Sequence, residues 1–112
     1  MWIFTETGFI SAVRKNNRPD VITVRSRDRE SLEAVTALTG DEIVKTPHGD
    51  YPYRAFVRPE AFTIWVAGMA KDLDYDNFKS QVAHTRGYDF TSALHEVWSV
   101  MLRTEDSKSR EG

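Results

Sequence analysis

The sequence is organised around one stretch, YPYRAFVRPE at residues 51–60, and the segment that follows it. Tyr53, Ala55 and Val57 alternate with bulkier or charged residues, and a period of two is typical of a half-buried strand. Pro59 removes a backbone donor, so it ends the strand and suits the first position of a helix. Apolar residues at helical spacing then predict one buried stripe on a helix over residues 61–73: Phe62, Trp65, Val66, Met69 and Leu73.

Length and composition indicate an ordinary globular protein. A chain of 112 residues, 40% hydrophobic and 29% charged, predicts a single domain over residues 1–104 and a disordered charged tail over residues 105–112. There is no cysteine, which excludes disulfides and thiol chemistry. The apolar runs are too short to span a bilayer, and no signal-peptide pattern is present, so we expect a cytoplasmic protein without membrane association.

Turn residues and hydrophobic periodicity predict nine elements. Strands are expected over residues 2–5, 9–15, 21–27, 42–46 and 53–58, with helices capped by Asp28, begun at Pro59, capped by Asp74 and opened by Thr91. The helix capped by Asp28 is expected to bury Leu32, Val35 and Leu38 and to end at Gly40. The last helix is expected to bury an apolar stripe made of Leu94, Val97, Trp98, Met101 and Leu102. The resulting order, β-β-β-α-β-β-α-α-α, indicates the α+β class. We expect an antiparallel sheet of four to five strands with helices packed on it, and a permuted ferredoxin-like sandwich is one form of this arrangement.

Several short motifs together resemble a known family. They are MWIFT at residues 1–5, VRSR at 24–27, DYPYR at 50–54, DYDNFK at 74–79 and HEVW at 95–98. In this order they are similar to a family of small uncharacterised bacterial proteins, found mainly in actinobacteria and also associated with phages. The resemblance implies one compact domain and carries no activity.

A basic face of the sheet is the main candidate for binding. If Val24, Ala55 and Val57 point to the core, strand alternation brings arginines and aromatic residues together on the opposite face. Such a surface can hold single-stranded nucleic acid by stacking bases and neutralising phosphates. The alternative, favoured by the net charge of −2, is that these arginines pair with nearby carboxylates. The candidate binding residues are Phe9, Arg25, Arg27, Arg54, Phe56 and Arg58.

Catalytic and metal-binding signals are weak throughout the sequence. His48, His84 and His95 have no i, i+4 spacing and no evident third ligand, so we predict no metal site and no cofactor. The serines lie in no nucleophile motif, and no catalytic residue is assigned. A small hydrolase or nuclease built on His84 or His95 with a nearby aspartate is the least favoured function.

The leading hypothesis is therefore a small non-enzymatic protein-interaction module whose partner is another protein or a second copy of the chain. It rests on aromatic residues placed at termini and in loops, namely Trp2, Tyr51, Tyr88 and Phe90, because exposed aromatics near arginine often anchor interfaces. The alternative is a single-stranded nucleic-acid binder that uses the arginine-bearing face.

Overall fold

The computed structural model describes residues 1–106 and divides the chain into two compact units, Met1–Tyr75 and a second unit beginning at Asp76. We describe the N-terminal unit and the C-terminal unit separately. The single domain expected over residues 1–104 stays a prediction. From residue 107 onward, the tail expected to be disordered lies outside the described residues.

Of the elements within residues 1–106, the N-terminal unit contains the five strands and the first two helices. In chain order these are β1 (Trp2–Thr5), β2 (Gly8–Val13), β3 (Ile22–Ser26), α1 (Arg29–Thr39), β4 (Val44–Lys45), β5 (Tyr53–Val57) and α2 (Pro59–Lys71). The predicted α+β class and element order are confirmed. The fourth strand is shorter than expected, because only two of the five residues predicted for it pair with β5.

The strands form one antiparallel sheet in the order β1-β2-β3-β5-β4. Helix α1 connects β3 to β4, and β5 inserts between them, which is a split β-α-β unit. Strand β2 lies on the other side of β3, where a ferredoxin-like fold has its last strand. The sheet is therefore a permuted ferredoxin-like arrangement with β1 added at one edge.

One face of the sheet forms the core with both helices. Leu32 and Val35 of α1 and Phe62 and Trp65 of α2 pack with strand residues of that face, namely Ile10, Ala12, Val24, Ala55 and Val57. The predicted alternation along β5 is confirmed, since Ala55 and Val57 are fully buried. Burial of each large side chain stabilises the fold by about 1.5–3 kcal/mol before entropy is subtracted.

The ends of α1 follow their predicted signals. Asp28 caps the helix by accepting a hydrogen bond from the backbone N–H of Ser31 at 3.0 Å. Gly40 ends it with φ of +77°, a left-handed conformation that favours glycine. Leu38 was predicted to be buried in α1, but the structure exposes it, because the core contacts of this helix end at Val35.

The buried stripe predicted for α2 is only partly correct. Phe62 and Trp65 are buried, whereas Val66 and Leu73 are exposed. The helix ends at Lys71, so Leu73 lies beyond it and does not continue the helical spacing. Val66 and Leu73 instead line a groove between β1 and α2.

The C-terminal unit is helical over its described residues, with α3 (Phe78–Arg86), α4 (Tyr88–Met101) and a 3-10 turn at Leu102–Thr104. Asn77, not Asp74, caps α3 by accepting a hydrogen bond from the Ser80 N–H at 2.9 Å. Helix α4 begins at Tyr88, three residues before the predicted Thr91, directly after Gly87 with φ of +90°. In its predicted apolar stripe only Leu94 is buried, and Val97, Trp98, Met101 and Leu102 are exposed. None of the helices within residues 1–106 is both long and apolar enough to cross a bilayer.

Candidate functional site

The predicted binding residues lie mostly on the sheet face opposite α1 and α2, which we call the arginine face. In the N-terminal unit this face carries Trp2, Phe4, Phe9, Ser11, Thr23, Arg25, Arg54 and Phe56, and neither α1 nor α2 packs on it. Arg25 lies opposite Ser11 on one side and opposite Arg54 on the other. Cross-strand register therefore places two predicted site residues side by side.

The guanidinium of Arg25 is held within the protein. Arg25 is only 9% exposed, and its Nη2 donates a hydrogen bond to Ser11 Oγ at 2.8 Å. Its Nη1 lies 3.6 Å from a carboxylate oxygen of Asp50. Buried charges need such partners, because an unpaired charge is costly to remove from water.

Arg54 is engaged by the loop between β4 and β5. Its Nη2 donates to Asp50 Oδ1 at 3.0 Å and its Nε donates to Thr46 Oγ1 at 3.3 Å. Asp50 thus bridges Arg25 and Arg54, and the loop over residues 46–51 is fastened to the arginine face. This arrangement agrees with the alternative in which the arginines pair with a nearby carboxylate.

Tyr51, in the same loop, packs against two arginine side chains. It was named among the loop aromatics, yet it is only 5% exposed. The guanidinium carbons of Arg25 and Arg27 lie 4.7 and 4.5 Å from its ring centroid, within range of cation–π attraction. Its carbonyl also accepts a hydrogen bond from Thr46 Oγ1 at 2.8 Å.

The other two predicted arginines, Arg27 and Arg58, do not pair with the Asp50 carboxylate. Arg27 is exposed and donates to the Asp50 carbonyl. Arg58 follows the end of β5, and its Nε lies 3.6 Å from a carboxylate oxygen of Glu60. The four arginines therefore do not form one continuous row with free guanidinium groups.

The two predicted phenylalanines lie in different surroundings. Phe9 stacks on Phe4 with centroids 4.5 Å apart and meets Trp2 edge to face at 5.7 Å, which forms an aromatic cluster on β1 and β2. Phe56 pairs with Thr23 across the sheet, and the Arg18 guanidinium lies 3.7 Å from its ring centroid.

A groove of about 340 Å³ runs between β1 and α2 in the N-terminal unit. Its lining is mainly apolar and also includes the acidic residues Glu6 and Asp72. The apolar lining residues include Ile3, Phe4, Trp65, Val66, Met69 and Leu73. This groove was not predicted; the signal that could have revealed it is the pair Val66 and Leu73, which extend the apolar pattern beyond the buried part of α2.

The free edge of β1 borders the groove. Met1 and Ala12 exchange two backbone hydrogen bonds, at 2.9 and 2.8 Å. Because hydrogen-bonded and non-hydrogen-bonded pairs alternate along antiparallel strands, the amide and carbonyl groups of Trp2 and Phe4 point away from β2. Strand β1 is the last strand of the sheet on this side.

The histidines form no catalytic constellation in the described part of the chain. His95 Nδ1 lies 3.2 Å from Lys79 Nζ, and its ring stacks on Trp98 with centroids 5.5 Å apart. Within residues 1–106 neither His84 nor His95 bonds to a carboxylate, and no three metal-ligating side chains come together.

No protein-family model, curated protein or solved structure matches this chain. The resemblance to small bacterial proteins therefore stays a prediction, and function must be argued from the geometry of this molecule.

Proposed function

We propose that the protein is a small non-enzymatic interaction module that binds an extended segment of another protein along the edge of β1. The groove between β1 and α2 carries this proposal, because it combines an apolar wall with strand backbone that pairs with no other strand among residues 1–106. A peptide that adds to a sheet edge gains affinity from main-chain hydrogen bonds and specificity from pockets for alternate side chains.

The backbone of β1 supplies the main-chain part. The outward N–H and C=O groups of Trp2 and Phe4 offer two donors and two acceptors to an incoming strand. Exposed sheet edges of this kind pair readily with other chains unless they are covered or blocked.

The groove supplies the side-chain part. Val66 and Leu73 are exposed although they are apolar, and Leu73 is 57% exposed. An incoming strand that directs alternate apolar residues toward them would remove this surface from water, which favours binding at about 25 cal/mol per Å² of apolar area.

The charge of the groove determines which kind of partner segment it binds. Glu6 and Asp72 line the groove, and no basic residue among residues 1–106 does. The matching partner is an extended segment that alternates apolar residues with lysine or arginine, since complementary charge favours specific encounters.

The proposal is tested by selecting peptides that bind the protein from a random displayed library. We expect the selected sequences to be basic and to alternate apolar and polar residues. Leu73→Lys should abolish their binding, because it places a charge in the apolar wall and repels basic residues. Ile64→Lys is the matched control, since Ile64 is 62% exposed on α2 but does not line the groove.

Two results would contradict the proposal. Equal loss of binding in Leu73→Lys and Ile64→Lys would place the binding surface elsewhere. Self-association of the unmodified protein that disappears in Leu73→Lys would show that a second copy, not a foreign segment, fills the groove. We also expect the protein to be cytoplasmic and to belong to the bacterial and phage-associated family that it resembles.

Single-stranded nucleic-acid binding is the second candidate. It is supported by Arg18 and Lys15, whose charged groups form no ion pair within residues 1–106, beside Phe56 on the arginine face. It is disfavoured by Asp50, which occupies Arg25 and Arg54. A titration with single-stranded DNA and RNA at low salt tests it, because each neutralised phosphate steepens the salt dependence by about 0.7. We expect no binding.

A further inference from the structure

We propose that a cleft on the arginine face binds the phosphate group of a small phosphate monoester. The cleft measures about 300 Å³ and lies where the loop after β2 approaches β3 and β5. Its lining residues are Lys15, Asn17, Arg18, Thr23, Arg54 and Phe56. The site is separate from the groove beside β1 and goes beyond the proposed function.

The cleft is strongly cationic. Lys15, Arg18 and Arg54 line it, and no acidic residue of the described part of the chain does. The Arg18 guanidinium packs on the Phe56 ring at 3.7 Å, and its N–H groups bond to nothing in residues 1–106. Arginine supported on an aromatic ring is preoriented, so less side-chain entropy is lost when it binds a phosphate.

Arg54 contributes a second guanidinium with part of its donor capacity unused. Its Nε and Nη2 are bonded to Thr46 and Asp50, while its Nη1 has no partner among the described residues. Asp50 offsets part of the positive charge of Arg54. No ion pair within residues 1–106 offsets the charges of Lys15 and Arg18.

Thr23 contributes an unsatisfied polar group to the lining of the cleft. The residue is only 1% exposed, and its Oγ1 has no hydrogen-bond partner within residues 1–106. A buried hydroxyl without a partner is costly, and most buried polar groups are satisfied. A phosphate oxygen in the cleft would accept a hydrogen bond from Thr23 Oγ1, and the Asn17 amide supplies a further donor.

The geometry favours a monoester over a strand of nucleic acid. A strand needs an open row of cations along the sheet, and the neighbouring part of the arginine face is occupied by the loop over residues 46–51. Three cationic side chains around one cleft instead match one compact dianion. Charge-assisted hydrogen bonds to phosphate are about twice as strong as neutral ones.

The test is an NMR titration of the full chain with inorganic phosphate and with ribose 5-phosphate, at constant ionic strength, with ribose as the uncharged control. We expect saturable shifts for the backbone amides of Asn17, Thr23 and Phe56 with both phosphates and none with ribose. Arg18→Gln should weaken ribose 5-phosphate binding about tenfold or more. Arg29→Gln, which changes an exposed arginine of α1 outside the cleft, should leave binding unchanged.

Thr23→Val removes the hydroxyl and keeps the branched shape, so it tests the site without disturbing β3. We expect it to weaken binding several-fold while the protein stays folded. Unchanged affinity in Thr23→Val, shifts that do not saturate, or equal losses in Arg18→Gln and Arg29→Gln would overturn the proposal. It would also be overturned if oligothymidylate bound tightly and phosphate failed to compete with it. Leu73→Lys should leave phosphate binding intact, which separates this test from that of the groove.

Discussion

Arg54 Nη2 donates a hydrogen bond to Asp50 Oδ1 at 3.0 Å, and through it the loop between β4 and β5 is fastened to the sheet. The same carboxylate also faces the buried Arg25. One acidic residue of this loop thus holds two arginines of the arginine face in contacts within the protein.

Asp50→Ala should destabilise the protein by about 1 kcal/mol, because Arg25 and Arg54 lose an ionic partner whose exposure to solvent weakens both pairs. Chemical denaturation measures this change. Asp20→Ala is the control, since Asp20 is an exposed turn residue without an ion pair in the described part of the chain. Equal effects of the two substitutions would show that Asp50 does not fasten the loop.

Thr23→Val and Ser11→Ala should shift stability in opposite directions. Removing the unpartnered Thr23 hydroxyl should stabilise the ligand-free protein by up to about 1 kcal/mol, because a buried polar group is no longer desolvated. Ser11→Ala should destabilise it by about 1–3 kcal/mol, because Arg25 Nη2 loses its acceptor. Thermal unfolding of both variants in phosphate-free buffer checks the pair, and a loss of stability in Thr23→Val would contradict the assignment of an unsatisfied hydroxyl.

Trp65→Ala should cost about 3–5 kcal/mol, as truncations of large core side chains do. Trp65 is buried and stacks on Phe62 with centroids 5.9 Å apart. The neighbouring Ile64→Ala should change stability by less than about 0.5 kcal/mol, because this side chain is exposed. A loss below about 1 kcal/mol for Trp65→Ala would contradict the placement of this side of α2 in the core.

Local signals predicted much of the fold. Alternation along residues 53–57, the Asp28 cap, the Gly40 stop and the position of Pro59 depend on neighbours in sequence, and the structure has each of them. The errors arose where two local signals compete. Asp74 and Asn77 can both cap a helix, and the choice of Asn77 shortened α3 by one turn at its start. The helix after Gly87 begins without a side-chain cap, so the prediction placed its start three residues too late, at Thr91.

The candidate sites were harder to predict, because they depend on contacts between distant residues. Alternation placed Thr23, Arg25 and Arg54 on one face, but it could not show that Asp50 and Tyr51 fold back over two of them. Nor could it show that Arg18 reaches Phe56 from a turn. The groove beside β1 was missed because Val66 and Leu73 fit a helical stripe equally well as core residues.

Binding of an extended segment at the edge of β1 can be measured by amide hydrogen exchange along this strand. The exchange of Trp2, Ile3 and Phe4 is compared with and without a saturating basic peptide from the displayed library. We predict that the peptide slows exchange at Trp2 and Phe4, whose N–H groups point outward, and changes Ile3 little, because its N–H already faces β2. Protection at the other sheet edge, or no protection at Trp2 and Phe4, would contradict the account.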